Sequence, residues 1–327
     1  MKGKTVVIAG GSGFIGRHLT RYLLKRGCLV TILTRDPDAI KTDPVFKKTS
    51  AVEWSPADNK WYDAIKGVDC LINLSGRNLT KGRWTKRVQD DIRDSRVKTV
   101  SAIAEAVAAV DVKPRCVIQA SAVGYYGRQS PMNAHEMTPS GKGFLADVTR
   151  DWESAAVPLV KHPETRAVIA RFGVVLGVDG GLYRRISCLL RHYMGGIVGN
   201  GKNWISWIHI ADLVRVIEWM ITNESAAGIY NVTAPEPVRH DELIRTMAKN
   251  LRKPVMPTPP AAILRLAIGP MVDELLLASQ HVKPAKLLDE SYRFHYRTAD
   301  KALKALYLEA KTSGALDRDC TDQIKSV

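Results

Sequence analysis

The residues best suited to chemistry come first in the chain. Residues 9–16 read A-G-G-S-G-F-I-G, with Gly10, Gly13 and Gly16 at three-residue spacing and Gly11, Gly13 and Gly16 satisfying G-x-G-x-x-G. Glycines gather in many turns, so the context decides: a run of β-favouring residues (5–9) precedes the motif, and a helical pattern follows it. Glycine there permits a tight turn, close approach of a pyrophosphate and helix-on-strand contact. Bare N–H groups and the helix dipole then favour an anion. Gly10, Gly11, Ser12, Gly13, Phe14, Ile15 and Gly16 therefore form a candidate dinucleotide-phosphate turn. About 20 residues past such a turn an NAD site usually carries a carboxylate for the ribose 2′-hydroxyl. This chain reads Leu33-Thr34-Arg35-Asp36 instead. A guanidinium offers a planar fork of donors suited to a 2′-phosphate, which a carboxylate would repel. The expected cofactor is NADP(H), with Thr34 and Arg35 at its adenosine end and Asp36 capping a helix or facing solvent. Leu74, Ser75 and Gly76, ending another apolar run, would let backbone approach the adenine and ribose.

Such a turn works only if strands and helices deliver it to a sheet edge. Apolar runs at 5–9, 29–34, 69–74, 115–120 and 167–176 read as buried strands, and 14–26 reads as a helix stopping at Gly27. A longer helical pattern spans 85–110, with Val88, Ile92, Val100, Ile103 and Val107 on one side. Strands alternating with helices require crossovers, hence a mainly parallel sheet covered on both faces. The predicted fold is α/β: a doubly wound Rossmann sheet with a smaller, mostly helical C-terminal substrate domain. The rhythm changes after Gly177, where glycines and aromatics gather up to Trp207, followed by a helix over 212–222 and a strand over 229–232. From His240 the chain reads as helical and then proline-rich. These shifts divide it into a dinucleotide-binding domain (1–233, with 177–204 contributing to the substrate side), a substrate domain (234–310) and a polar, frayed tail (311–327).

Composition narrows the class. The 327 residues are 45% hydrophobic and 25% charged, ordinary for a globular protein. The N-terminus enters a strand without the long apolar region of a secretory signal, and no apolar run suggests a membrane span. The expected location is the cytoplasm, with no membrane partner. Five scattered cysteines form no C-x-x-C pair, so all five read as structural thiols, with neither a zinc site nor a disulfide framework. The net charge of +15 is spread along the chain, densest over 77–87. That stretch is a solvated loop and helix start or, as a second reading, an anion-attracting rim beside a cleft. Nucleic acid is set aside as a partner, because neither a recognition motif nor a basic tail accompanies the charge.

Later motifs add a resemblance. G-G-S-G-F-I-G, L-T-R-D-P, N-L-S-G and S-A-V-G-Y-Y-G (residues 121–127) resemble the extended short-chain dehydrogenase/reductases. R-F-G-V-V-L-G (171–177), D-G-G (179–181), W-I-H-I-A-D-L (207–213), V-K-P-A-K-L-L (282–288) and Y-R-F-H-Y (292–296) resemble the atypical, epimerase-like YfcH-type subgroup with its short C-terminal domain. The similarity covers residues 4–308. It implies a Rossmann fold, a pyridine nucleotide, a small-molecule substrate and, by analogy with the family, a homodimer. Ordinary members carry a Tyr-x-x-x-Lys pair on one helix, the lysine lowering the tyrosine pKa for proton exchange. Here Phe144 and Val148 stand about where that pair would be, and neither can exchange a proton. A literal Tyr62-x-x-x-Lys66 lies too early in the fold to meet a nicotinamide. If protons still move, Tyr125 or Tyr126 is the donor, with Ser121 hydrogen-bonding the substrate oxygen; the competing reading is a packed Tyr-Tyr-Gly turn. His209 reads as a buried, hydrogen-bonded histidine and Asp212 as an N-cap or first-turn acid; Trp204, Trp207 and the glycines at 199–201 either line the cleft or pack beneath a loop. Two functions follow. One is an NADP(H)-dependent oxidoreductase or epimerase acting on an anionic, nucleotide-sugar-like carbonyl or hydroxyl compound. The other is a catalytically degenerate NADP(H)-binding sensor or scaffold.

Overall fold

A computed structural model describes residues 1–316 and residue 320. Seven parallel strands form the main sheet: β1 (Thr5–Ala9), β2 (Leu29–Thr34), β3 (Ser50–Glu53), β4 (Cys70–Asn73), β5 (Cys116–Ala122), β6 (Arg166–Phe172) and, later in the chain, β10 (Gly228–Val232). Their order is β10-β6-β5-β4-β1-β2-β3. The chain thus winds outward both ways from the β1–β4 boundary, the doubly wound Rossmann arrangement that the alternation predicts. Alternate residues explain why both faces are covered. Val6 and Ile8 of β1, with Cys70 and Ile72 of β4, face one apolar core; Val7 and Ala9, with Leu71, face the other. Helices α1 (Phe14–Lys25), α2 (Pro37–Thr42), α3 (Lys86–Ala109), α4 (Phe144–Ala155) and the short α5 (Val157–Val160) link these strands.

The predicted strand over 167–176 is two strands. β6 ends at Phe172 and β7 (Val174–Gly177) leaves the sheet, the Val174 amide turning to the Ser206 carbonyl at 2.8 Å. β7 pairs instead with β9 (Trp207–His209), while β8 (Trp204–Ile205) pairs with β11 (Val238–Arg239). This crossing carries the chain through α6 (Gly181–Arg191), α7 (Ile210–Thr222) and α8 (His240–Leu251) into α9 (Ala261–Ile268), α10 (Ala285–Asp289) and α11 (Ala299–Thr312). A third core joins Leu176, Tyr183, Trp207, Leu243, Met247 and Leu303. Residues 279–282 run back along the loop after β5, where the Ser279 amide meets the Arg128 carbonyl at 2.7 Å and the Ser130 amide meets the Ser279 carbonyl at 3.0 Å.

Two expectations change here. Cys28, Cys70 and Cys116 are buried thiols, but Cys188 and Cys320 form a disulfide across 132 residues of sequence. Spacing could not reveal a partnership that exists only because α6 and the segment after α11 share the third core. The tail expected to fray from residue 311 instead begins ordered: α11 runs through Thr312, and Ala315 and Leu316 pack on that core. The rest of that tail, residue 320 excepted, lies outside the described residues. Among the described residues, no helix is long and apolar enough to cross a membrane.

Candidate functional site

The carboxyl ends of β1, β2 and β4 meet at one place, as parallel pairing in register demands: Ala9 lies beside both Leu33 and Asn73. The turn after β1 has little room for side chains. Gly10 has φ +76°, and a Cβ there would stand 2.8 Å from the Leu74 carbonyl carbon and the Ser75 nitrogen. A Cβ on Gly16 would sit 2.4 Å from the Gly11 carbonyl oxygen. Gly13, the α1 N-cap, supplies no side-chain acceptor, and the first turn holds no acid. Helix α1 thus starts with bare amides beside exposed Ser12 and Gly13, which is what an incoming anion needs. Phe14 and Ile15 are half-buried at the start of α1 and pack on the first core.

At the end of β2, Thr34 Oγ1 accepts the Asp36 amide at 3.2 Å, and Asp36 caps α2 by accepting from the Ala39 amide at 2.9 Å. This commits the carboxylate at 36 to the helix. Arg35 is exposed and, among the described residues, has no ion pair or hydrogen bond. Beyond β4, the Leu74 amide donates to the Ala9 carbonyl (2.9 Å) and the Ser75 amide to Asn73 Oδ1 (3.0 Å), while Gly76 is exposed. All three expected segments of the cofactor site therefore stand at one edge, with Arg35 free.

The ends of β5 and β6 differ. Arg171, the last residue but one of β6, has its side chain 1% exposed. It donates through Nε and Nη2 to Glu153 of α4 (2.8 and 2.7 Å) and through Nη1 to the Tyr126 hydroxyl (2.9 Å). Ser121 donates its hydroxyl to the same Glu153 at 2.6 Å. Around the Tyr126 hydroxyl stand two acceptors for its proton, Asn231 Oδ1 at 2.8 Å and the His135 carbonyl at 2.9 Å. Burial, against the opposing Arg171 charge, pushes the Tyr126 pKa up to about 12. Ser121 and Tyr126 thus belong to a buried network. Tyr125 is the exception. Its half-buried ring lies 3.5 Å from the Arg171 guanidinium carbon, and its hydroxyl has no hydrogen-bond partner among the described residues.

Phe144 and Val148 lie in an apolar cluster with Trp84, Ile92 and Met271, the Trp84 and Phe144 rings 5.3 Å apart edge to face. Glu274, from the segment after α9, accepts the first two α4 amides, Phe144 at 3.0 Å and Leu145 at 3.2 Å. That carboxylate serves as the missing N-cap and pins the C-terminal segment over the cluster. Tyr62 and Lys66 sit on a separate turn, with Lys66 paired to Asp63 and Asp111. His209 is 3% exposed, accepts the Ala211 amide on Nδ1 at 3.0 Å and stacks on Tyr296. Burial pushes its pKa down to about 3, so it is neutral. It is also the N-cap of α7. Asp212, in the first turn, accepts the His295 and Tyr296 amides at 3.1 and 2.8 Å and fastens the C-terminal segment. Trp207 is fully buried with its indole on the Glu236 carbonyl, whereas Trp204 is half-buried between Arg239 and His281.

Sequence reasoning did not assign roles to Glu153, Arg171 and Glu274. For Arg171 a signal was present: one charged residue inside the otherwise apolar run 167–172. Nothing in the local pattern marked the two glutamates, whose partners are far away in sequence.

Compared with known families, residues 6–233 match the model described as the NAD dependent epimerase/dehydratase family. The chain belongs to that family. Residues 259–306 match a domain of unknown function, DUF1731. The epimerase family protein ML0860 of Mycobacterium leprae is 35% identical over 299 residues, covering 91% of this chain and 94% of that one. The chloroplastic SDR39U1 homolog of Arabidopsis thaliana is 32% identical over 305 residues, covering 92% and 86%. Among solved structures, the human epimerase family protein SDR39U1 (isoform 2) with NADPH superposes with a TM-score of 0.83 at 28% identity, covering 93% of this family member and 99% of the human chain.

Proposed function

We propose that this family member is an NADP(H)-dependent oxidoreductase or epimerase-like enzyme acting on an anionic, nucleotide-sugar-like carbonyl or hydroxyl compound. The observation that carries the proposal is the open edge: uncapped α1 amides beside a glycine turn, with unpaired Arg35 at the end of β2. The amides of residues 10–16 would hold the pyrophosphate, Thr34 and Arg35 the 2′-phosphate, and residues 74–76 the adenosine. NADPH in the related human structure supports the same choice. When bound, the nicotinamide supplies the hydride or accepts it. Tyr125, in the turn after β5 and with a hydroxyl that has no hydrogen-bond partner among the described residues, is the group that would move a proton at the substrate oxygen. Ser121 and Tyr126 act through it by shaping the Arg171 surface on which its ring lies. Residues 1–233 form the dinucleotide domain and 234–310 most of the substrate side in this reading, and the basic stretch 77–87 attracts the substrate's charge. In this reading the protein works in the cytoplasm, as its apolar pattern leads us to expect, and the family resemblance implies a homodimer, which light scattering on the purified protein checks.

Fluorescence titration with NADPH and NADH tests the cofactor assignment. The wild type is expected to bind NADPH at least about tenfold more tightly, the worth of one hydrogen bond to a charged group. Arg35→Ala should erase that preference and leave NADH binding unchanged. Comparable affinities in the wild type would remove Arg35 from the site. A second reading, a nucleotide-binding sensor, draws on the apolar cluster at Phe144 and Val148. Tight NADPH binding with no oxidation against a broad carbonyl panel would favour it.

A further inference from the structure

The turn after β4 is held from two sides. In front it lies against the phosphate turn, with Leu74 and Ser75 at contact distance from Gly10. From behind, three α3 side chains grip Arg77. Asp91 pairs with its guanidinium (3.2 Å), Ser95 Oγ accepts its amide (2.9 Å), and Arg96 Nη2 donates to its carbonyl (3.2 Å). Arg96 differs from the other two. Its Nη1 donates to the Ile92 carbonyl (3.0 Å), its guanidinium lies 5.2 Å from the Trp152 ring, and a Cβ on Gly76 would come within 3.3 Å of its Cζ. Both acceptors are neutral carbonyls, and among the described residues no carboxylate pairs with it. Burial pulls its pKa down to about 10, so it stays charged at neutral pH. A half-buried cation without a counter-charge is costly, and anything that supplies the missing negative charge is stabilised beside it. Gly76 leaves only backbone between that cation and the open edge.

We propose that Arg96 is a positioning residue of the dinucleotide site: its charge acts through the Gly76 backbone on the negative charge of a dinucleotide bound at that edge, while its hydrogen bond to Arg77 fixes the turn that faces the adenosine. This deepens the dinucleotide reading and rests on it. Among the residues of that edge, Arg35 is free in solvent and would read the 2′-phosphate alone, whereas Arg96 is half-buried behind Gly76 and would favour NADPH and NADH alike.

The test is NADPH and NADH affinity, by fluorescence titration of the full chain, for wild type, Arg96→Lys and Arg96→Gln, with melting temperatures measured alongside. Lysine keeps the charge, while glutamine keeps a donor and loses the charge. The lysine variant should bind both nucleotides within about threefold of wild type, less than the tenfold that corresponds to 1.4 kcal/mol. The glutamine variant should lose about tenfold or more for both, the scale of one charge-assisted contact. A glutamine variant that binds like wild type overturns the proposal, and so does a lysine variant that weakens as much as glutamine. If the glutamine variant does not fold, a tenfold loss in the folded lysine variant is overturning by itself. A wild type that binds neither nucleotide sinks the dinucleotide reading and this inference with it, and that result is distinct from any variant effect.

Discussion

The two ends of the same sheet edge are built on opposite principles. Beyond β1, β2 and β4 the polar groups are unspent: α1 starts uncapped, Ser12, Gly13 and Gly76 are exposed, and Arg35 reaches solvent unpaired. Beyond β5 and β6 they are spent on each other. Glu153 takes Arg171 and Ser121, Arg171 takes Tyr126, and Tyr126 takes Asn231. Buried polar groups in a stable fold are satisfied, so the closed end is explained by the fold alone. An edge whose donors meet only solvent is open to a ligand. One row of strand ends is thus divided between a closed half and an open one, and Tyr125 stands on the line between the two.

Removing the closed end's charge should give the largest effect. Arg171→Met leaves Glu153 buried beside Ser121 with no cation, and breaking a buried pair from one side costs about 3–5 kcal/mol. Thermal or urea denaturation reads this directly. A loss below about 1 kcal/mol, the range of exposed pairs, would show that the network is wet and that the contrast with the open end is false. A smaller effect comes from pH. Burial raises the folded Tyr126 pKa to about 12, above its ordinary 10.0. The folded protein therefore holds that proton more tightly than the unfolded chain does. Its contribution to stability is complete below pH 10 and declines as pH rises toward 12, by up to about 1.4 kcal/mol per pH unit. Tyr126→Phe should make denaturation curves taken across pH 9–12 shallower by that share, while Tyr183, Tyr230 and Tyr292, also raised by burial, keep the rest; an unchanged slope would place the titration elsewhere.

The same contrast explains what the sequence disclosed. Most of the open end is local: glycine spacing, the preceding strand and Arg35 lie within residues 5–35, so the pattern was visible in the sequence, and residues 74–76 join it through the pairing of β4 with β1. Six of the seven strands were legible for the same reason, as short apolar runs between helical stretches, whereas β3 at the sheet edge, with Ser50 and Glu53 exposed at its ends, carries no such run and was missed. The closed end is assembled from residues 121, 126, 153, 171 and 231, whose spacing carries no pattern until β5, β6 and β10 pair. Phe144 and Val148 were visible as a departure, yet the side chains around them come from two distant segments, Trp84 and Ile92 around the start of α3 and Met271 after α9. The Cys188–Cys320 bond and the Glu274 cap are likewise long-range contacts that no local periodicity encodes.

Tyr125→Phe should have the smallest effect on the fold and for that reason separates the two functions most cleanly. The change removes one hydroxyl that binds nothing among the described residues and leaves the ring on Arg171. Stability should stay within about 0.5 kcal/mol of wild type, as for substitutions away from buried networks. NADPH affinity should also hold, because the residue follows β5 and not the phosphate turn. Ser121→Ala gives the contrast, since it takes a buried hydrogen bond from Glu153 and should cost about 1 kcal/mol. If Tyr125→Phe leaves folding and NADPH binding intact but lowers turnover of a carbonyl or hydroxyl substrate about a hundredfold, the lower range for a lost general acid, the free phenol is the proton donor. Undiminished turnover would move the chemistry to another group, and the half-buried tyrosine would join the rest of its end of the sheet as packing.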